Sequence, residues 1–482
     1  MATMRTHGGA DDPIASHGWI DTGTIETRLG RFDFAGGFPT RESARELAER
    51  LLHNRAVEVF LAQMPVVSQY HVWKGVADAG KGVPNQVLVF ESLMNSETLL
   101  LTGNTETVYG MAAIDLRDGP VVVEIPPRML GNVSDVWQGE VVGIGPMGAD
   151  RGEGGKLLLL PPGHEEAPPD GYLVGRPPTF RVVLGIRGFQ DEGGTARAVA
   201  LMRKTRIYPL ASAANPPATT FIDASEHPVD TLFPDTARFF HDLAEIVATE
   251  PPENFSTVER FQLAAIGIEP GKRFAPDAER EKLLDDAARF ASAAARANSF
   301  DNADPERLVY PDRQWEWAFI GGSATWDAQG YLNTDRRAAF TYIAIGMSPA
   351  MVEKVVGQGS QYLAASRDAD GALLDGGKRY RLRLPPGIPA KNFWSVDVYD
   401  ARSRSLLRDG RPFPSVSSYT NPQVNADGSI DLSFGPEAPT GRERNWIRTV
   451  PGVGWFTLLR LYGPLQSFFD QSWKPGDIEE TR

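Results

Sequence analysis

Apolar positions along the chain change spacing three times, and each change marks a boundary between elements. Over residues 40–63 (TRESARELAERLLHNRAVEVFLAQ) they recur every three or four positions, which predicts a helix. Thr40 is placed to cap its start, and Pro65 is expected to stop it. From 66 to 210 the texture becomes short β-branched runs ended by Gly or Pro, such as VPNQVLVF, GPVVVEIPP, GKLLLLPPG and TFRVVLGIRGF. That is the pattern of an all-β domain. A crossing segment over 211–225 leads into helical text at TARFFHDLAEIVATE, VERFQLAAIGI and residues 277–299. From about 300 the β texture returns, with one helix expected at 348–363 (SPAMVEKVVGQGSQYL) and strands at RYRLRLPPG, NFWSVDVYD, GSIDLSFG and WFTLLRLYG. The resulting division is an N-terminal arm and helix (1–64), a β domain (65–210), a helical segment (211–300) and a second β domain (301–482).

Composition sharpens this picture only in part. The chain has 482 residues, too many for one ordinary domain, with 48 glycines and 37 prolines spread between apolar runs as turn residues. A net charge of −13 argues against nucleic acid or an anionic membrane as a partner. No run of apolar residues is long enough for a membrane span. The first residues lack an apolar signal core, so the expected compartment is the cytoplasm, or the periplasm if a leader has been removed. The absence of cysteine excludes disulfides, thiolate metal sites and a cysteine nucleophile, and says nothing about compartment. Oligomeric state stays open, with a homo-oligomer as one option.

Familiar catalytic motifs fail on context. GIGPMG at 143–148 has the letters of a dinucleotide-binding turn, but a proline sits inside it and strand rather than helix follows, so it reads as a turn. There is no P-loop, no H-E-x-x-H and no G-x-S-x-G. The seven histidines (His7, His17, His53, His71, His164, His227 and His241) are scattered without ligand spacing. Neither a metal nor a cofactor is expected.

The informative residues are polar groups set inside apolar strands. In NFWSVDVYD, alternation places Phe393, Ser395, Asp397 and Tyr399 on one face and Trp394, Val396 and Val398 on the other. In WFTLLRLYG, Phe456, Leu458, Arg460 and Tyr462 share a face. A charge in such a strand must be paired, face solvent, or face a ligand, so an Asp397–Arg460 ion pair and a ligand contact are both open. TGNTETVYG concentrates Asn104, Glu106, Thr107 and Tyr109, which can bind a ligand or close a turn. Residues 376–463 hold 13 Lys and Arg against 7 Asp and Glu, a local +6 that fits a solvated face or a basic surface for an anion.

These segments resemble a known pairing. NTETVYGMAAIDLRDGPVVVEIP is similar to the signature of the bacterial domain of unknown function numbered 1254. YLNTDRRAAFTYIAIGMSPAM, FWSVDVYDARSRSLL, NADGSIDLSFGP, NWIRTVPGVGWFTLLRLYGP and FFDQSWKPG resemble its usual partner, number 1214. The resemblance runs from about residue 65 to the C-terminus. It implies a mainly β protein with a helical insert: an immunoglobulin-like sandwich, a helical middle segment and a C-terminal jelly-roll-like sandwich. The family pattern usually has Asp where this chain has Glu106. The resemblance implies a fold and no established activity.

The expectation for function is an enzyme acting on a small polar or anionic organic substrate, most simply a metal-independent hydrolase or lyase. Its candidate catalytic groups are Glu106 or Asp397 as base and Tyr109 or Tyr399 as proton donor. Substrate contacts are expected from Asn104, Arg336, Trp394, Trp446, Arg460 and Tyr462, with Arg336 and Arg460 as anion clamps and the tryptophans as pocket wall or core. The alternative is a non-catalytic module that binds carbohydrate or another ligand, or assembles with partners. Convergence of Glu106, Asp397, Tyr399 and Arg460 on one enclosed pocket separates the two.

Overall fold

A computed structural model describes residues 23–225 and 227–481. His7, His17 and residues 1–22 of the expected N-terminal arm lie outside them. Two β-sandwiches are joined through a layer of helices, so the protein is mainly β with helical elements between. The first sandwich has a six-stranded sheet in the order Thr220–Asp223, Gln86–Val89, Thr107–Asp115, Arg181–Phe189, Leu130–Asp135, Glu140–Ile144. Its four-stranded sheet runs Leu173–Gly175, Gly155–Leu159, Val121–Ile125, Arg206–Pro209. The second sandwich pairs a five-stranded sheet (Glu316–Trp317, Ser360–Ala365, Trp455–Pro464, Ala390–Asp400, Ser415–Ser417) with a four-stranded one (Trp446–Arg448, Ile430–Gly435, Arg379–Leu384, Ile478–Thr481).

Strand alternation decides which face each sandwich keeps for itself. Val182, Leu184 and Ile186 enter the first sandwich core, and Trp394, Val396, Val398, Leu459 and Leu461 enter the second. The opposite faces of those same strands are also apolar. Met111 and Val183 from one sheet, and Tyr399, Phe456 and Leu458 from the other, join the helices in a third and larger core. The two sandwiches therefore meet through a shared interior.

Two helical expectations need correction. The first helix does not stop before Pro65 but runs Arg41–Ala79 with the proline inside it, so the boundary at residue 64 falls mid-helix. Proline within a helix costs about 3 kcal/mol, and here burial outweighs it: Phe60, Met64, Val66, Val67, Tyr70 and Val72 are all buried in the shared core. Gln138 Nε2 also donates to the Pro65 carbonyl at 3.1 Å. Thr40 caps this helix as expected, its hydroxyl accepting from the Ser43 N–H at 3.2 Å.

The helix expected at 348–363 is absent. The helix lies earlier, over Thr334–Ile343, capped by the Asn333 side chain. Residues 348–363 form a single short turn at Pro349–Met351 and then the strand Ser360–Ala365. Pro349 restrains Ser348 to an extended backbone, and Gly357 and Gly359 sit at positive φ, which ends any helix. The crossing segment 211–225 also contributes a strand, Thr220–Asp223, parallel to Gln86–Val89 at the sheet edge. Among the described residues, no helix is long and apolar enough to cross a membrane.

Candidate functional site

The two outer sheet faces enclose polar groups from both sandwiches. Asp397 and Tyr399 lie on Ala390–Asp400, and Arg460 and Tyr462 on the neighbouring strand Trp455–Pro464, where Ser395 is the cross-strand partner of Arg460. The first sandwich supplies the loop 102–106, which leads into Thr107–Asp115. Asn104 shapes that loop. Its Oδ1 accepts from the N–H groups of Glu106 and Thr107, both at 3.1 Å, and from the Thr107 hydroxyl at 3.0 Å. Its Nδ2 donates across the interface to the Tyr462 oxygen at 3.1 Å. The polar cluster thus closes a turn and reaches the other sandwich at once.

Arg460 works as a bolt between the sandwiches. One of its terminal nitrogens donates to Asp397 Oδ2 at 2.6 Å and to the Tyr399 oxygen, and the other donates to the Thr102 carbonyl at 2.6 Å. Tyr399 in turn donates to the Gly103 carbonyl at 2.8 Å. Thr102 is held at φ 43°, in the left-handed region that a β-branched residue avoids. Its N–H donates to the Arg404 carbonyl at 2.9 Å, so the second sandwich grips this strained residue from both sides.

Behind the bolt, Glu106 faces Asp397 within hydrogen-bonding range, and burial followed by the Asp397 charge pushes Glu106 up to about 8. Thr105 opposes that shift, its hydroxyl donating to Glu106 Oε1 at 2.7 Å. At neutral pH Glu106 is therefore the protonated partner. Asp397 is paired with Arg460 at 2.6 Å, both side chains being buried.

In front of the bolt lies a cavity of about 130 Å³ between the sandwiches. Asn104, Tyr109, Arg187, Tyr362, Arg460 and Tyr462 are part of its polar wall, with Gln69, Asn132 and Ser134. Arg187 was not among the sequence candidates. It stands on Arg181–Phe189 opposite Tyr109, with its guanidinium 5.3 Å from that ring's centre. Nη1 donates to the Tyr462 oxygen at 2.9 Å. Among the described residues no carboxylate lies within 4 Å of it to form an ion pair, in contrast to Arg181 on the same strand face, which pairs with Glu250 at 3.1 Å. Arg187, Met351 and Tyr462 also line a second chamber of about 190 Å³ beside the first. TFRVVLGIRGF carries the same signal as WFTLLRLYG, a charge alternating with apolar residues, and could have been found by the same rule.

The other candidates separate cleanly. Glu106, Asp397, Tyr399 and Arg460 do converge, but only Arg460 lines the cavity. Arg336 is outside it, bonded to Asp304 at 2.6 and 3.0 Å and to Glu306 at 3.0 Å. Trp446 lies on a strand of the far sheet, its indole N–H donating to the Gly435 carbonyl at 2.9 Å. Trp394 is in the second sandwich core. Part of the local +6 charge is taken up in ion pairs. Arg379 and Arg381 pair with Glu437 and Glu479 at 2.7 and 2.8 Å, Arg402 pairs with Asp400 at 2.7 Å, and Arg383 and Arg408 bond Asp427 and Glu97.

Two family models match along this geometry. Residues 84–209 match Protein of unknown function (DUF1254), and residues 359–466 match Protein of unknown function (DUF1214). The chain pairs a DUF1254 domain with a DUF1214 domain. Arg187, Asn104 and Tyr109 come from the DUF1254 region, and Tyr362, Arg460 and Tyr462 from the DUF1214 region, while Val72, Phe340 and other lining residues lie outside both. No curated protein matches the chain. The crystal structure of the VPA0106 protein from Vibrio parahaemolyticus is similar in fold, with a TM-score of 0.55 at 19% identity over 89% of this chain and 100% of that one. An uncharacterized protein from Burkholderia cenocepacia aligns over 92% of this chain and 97% of its own, at 12% identity and a TM-score of 0.41.

Proposed function

We propose that this protein is an enzyme acting on a small organic anion held in the cavity between the two domains. One observation carries this reading: Arg187 brings a positive charge to the cavity wall, where it has no carboxylate partner among the described residues. An arginine cannot shed its proton at working pH, so such a site is completed by an anion from outside. Arg187 is the anchor. Tyr462 and Tyr109 are the phenols beside it, and Asn104 fixes the position of Tyr462. Glu106, Asp397 and Tyr399 hold the domains together rather than contact substrate. Arg460, spent on Asp397, Tyr399 and Thr102, contributes a wall. A transition state that gathers charge on an oxygen next to Arg187 would be stabilised by these fixed donors.

A second reading, ligand binding without turnover, has its own support. None of the residues lining the cavity is an Asp, Glu or His, so a base to activate water is missing from its wall. The test is a thermal-shift and calorimetric screen of short carboxylates, sulfate, phosphate and sugars, with Arg187→Gln alongside, followed by turnover assays on whatever binds. A ligand at about 100 times its Kd stabilises the fold by about 2.7 kcal/mol. Anion binding lost in Arg187→Gln supports the anion site, and turnover of that anion supports the enzyme reading. Binding without turnover supports the second reading, and stabilisation by sugars alone overturns the anion site while leaving that second reading standing.

A further inference from the structure

Tyr462 has an arrangement that narrows the ligand class, on the premise that the anion site exists. The side chain is 3% exposed and stacked on Phe393, with ring centres 4.2 Å apart. Its oxygen receives two hydrogen bonds, from Asn104 Nδ2 at 3.1 Å and from Arg187 Nη1 at 2.9 Å. A phenol oxygen so occupied has one hydrogen-bonding function left, its own proton. No protein acceptor takes that proton among the described residues, although the residue lines both chambers. Burial holds the phenol well above its ordinary range, so the proton stays on oxygen and is available to donate.

A guanidinium fork and an O–H donor therefore stand side by side, locked together by the Arg187–Tyr462 bond. A plain carboxylate uses both oxygens on the fork. The phenol then needs an acceptor one bond further along the ligand. The first chamber sets the size of a ligand kept within it, because a space of about 150 Å³ holds a benzene-sized molecule and this chamber is about 130 Å³. The apolar part of the wall, including Val72, Leu101, Met111, Val183 and Phe340, suits a short carbon chain.

We propose that the site is selective for short carboxylates carrying an oxygen on the neighbouring carbon, the 2-oxo and 2-hydroxy acids of three or four carbons, with Arg187 taking the carboxylate and Tyr462 donating to the second oxygen. The experiment is calorimetric titration of the full chain with pyruvate, lactate, propionate, sulfate and phosphate, for wild type, Tyr462→Phe and Arg187→Gln. Wild type is expected to bind pyruvate or lactate about tenfold more tightly than propionate, the usual worth of one hydrogen bond to a charged ligand. Tyr462→Phe should bring that ratio close to one while propionate affinity holds, and Arg187→Gln should abolish binding of all three. Equal affinities for pyruvate, lactate and propionate in wild type overturn the selectivity and leave the anion site standing. Tighter binding of sulfate or phosphate than of any carboxylate also overturns it. No anion binding in wild type removes the site and this inference with it. If Tyr462→Phe fails to fold, the wild-type series alone decides.

Discussion

Removing Arg460 and removing Arg187 should have opposite consequences, although both are arginines set in apolar strands at the same cavity. Arg460→Met deletes the partner of Asp397, which is fully buried and keeps Arg460 and the Ser395 hydroxyl as its donors. It also frees the Thr102 carbonyl and the left-handed Thr102 backbone that Arg460 holds. Breaking one side of a buried ion pair costs about 3–5 kcal/mol, because the remaining charge stays desolvated. Arg187→Met strands no carboxylate. It exchanges a half-buried charge that has no carboxylate partner among the described residues for a side chain of similar length, with the loss of one hydrogen bond to Tyr462, so its stability should lie within about 1 kcal/mol of wild type. Guanidinium denaturation followed by tryptophan fluorescence measures both, and the double variant Asp397→Leu/Arg460→Met should recover much of the loss of Arg460→Met, since an apolar pair strands no charge. If Arg460→Met unfolds at the wild-type midpoint, or if Arg187→Met loses several kcal/mol, the division into a balanced bolt and an unbalanced anchor is wrong.

Glu106 predicts a pH dependence. Its carboxyl is raised from about 4.5 to about 8 in the folded protein, so the native state holds a proton that the unfolded chain has released, and stability falls as pH rises between those values. Denaturation midpoints from pH 5 to pH 9 should show that decline in wild type and a flatter profile in Glu106→Gln, and identical profiles would count against a raised Glu106 carboxyl. Asn104→Ala should destabilise the fold by about 1–3 kcal/mol, because it leaves buried N–H groups of Glu106 and Thr107 without an acceptor, and should also weaken anion binding in the calorimeter. Arg336→Ala and Trp446→Ala should leave anion affinity unchanged, since both side chains lie away from the cavity; a loss in either would redraw the site. Phe60→Ala, which removes a ring stacked 4.0 Å from Phe239 in the shared core, should cost about 3–5 kcal/mol in the same denaturation assay.

Period-two alternation in NFWSVDVYD and WFTLLRLYG was enough to assign the two faces of each strand, because a side chain's face depends only on its parity. The same pattern singled out Asp397, Tyr399, Arg460 and Tyr462 as polar groups needing partners. Local capping chemistry placed the start of the first helix at Thr40. Where that helix ends is a tertiary matter. The penalty at Pro65 is local, whereas the burial that outweighs it comes from strands and helices distant in sequence. The segment 348–363 shows the converse, since its helical spacing is overruled by glycines at positive φ and by pairing of Ser360–Ala365 with Trp455–Pro464.

Which polar residue faces a ligand was beyond the sequence, for a reason of charge balance. Arg460 and Arg187 look alike in their strands, each one cation among apolar neighbours. Only when the chain brings Asp397 onto Arg460, and pairs no carboxylate of the described residues with Arg187, do the two differ: one is tied into the structure and the other is the proposed anchor. The sequence determined that these charges would need partners; the fold decided which of them found one within the protein.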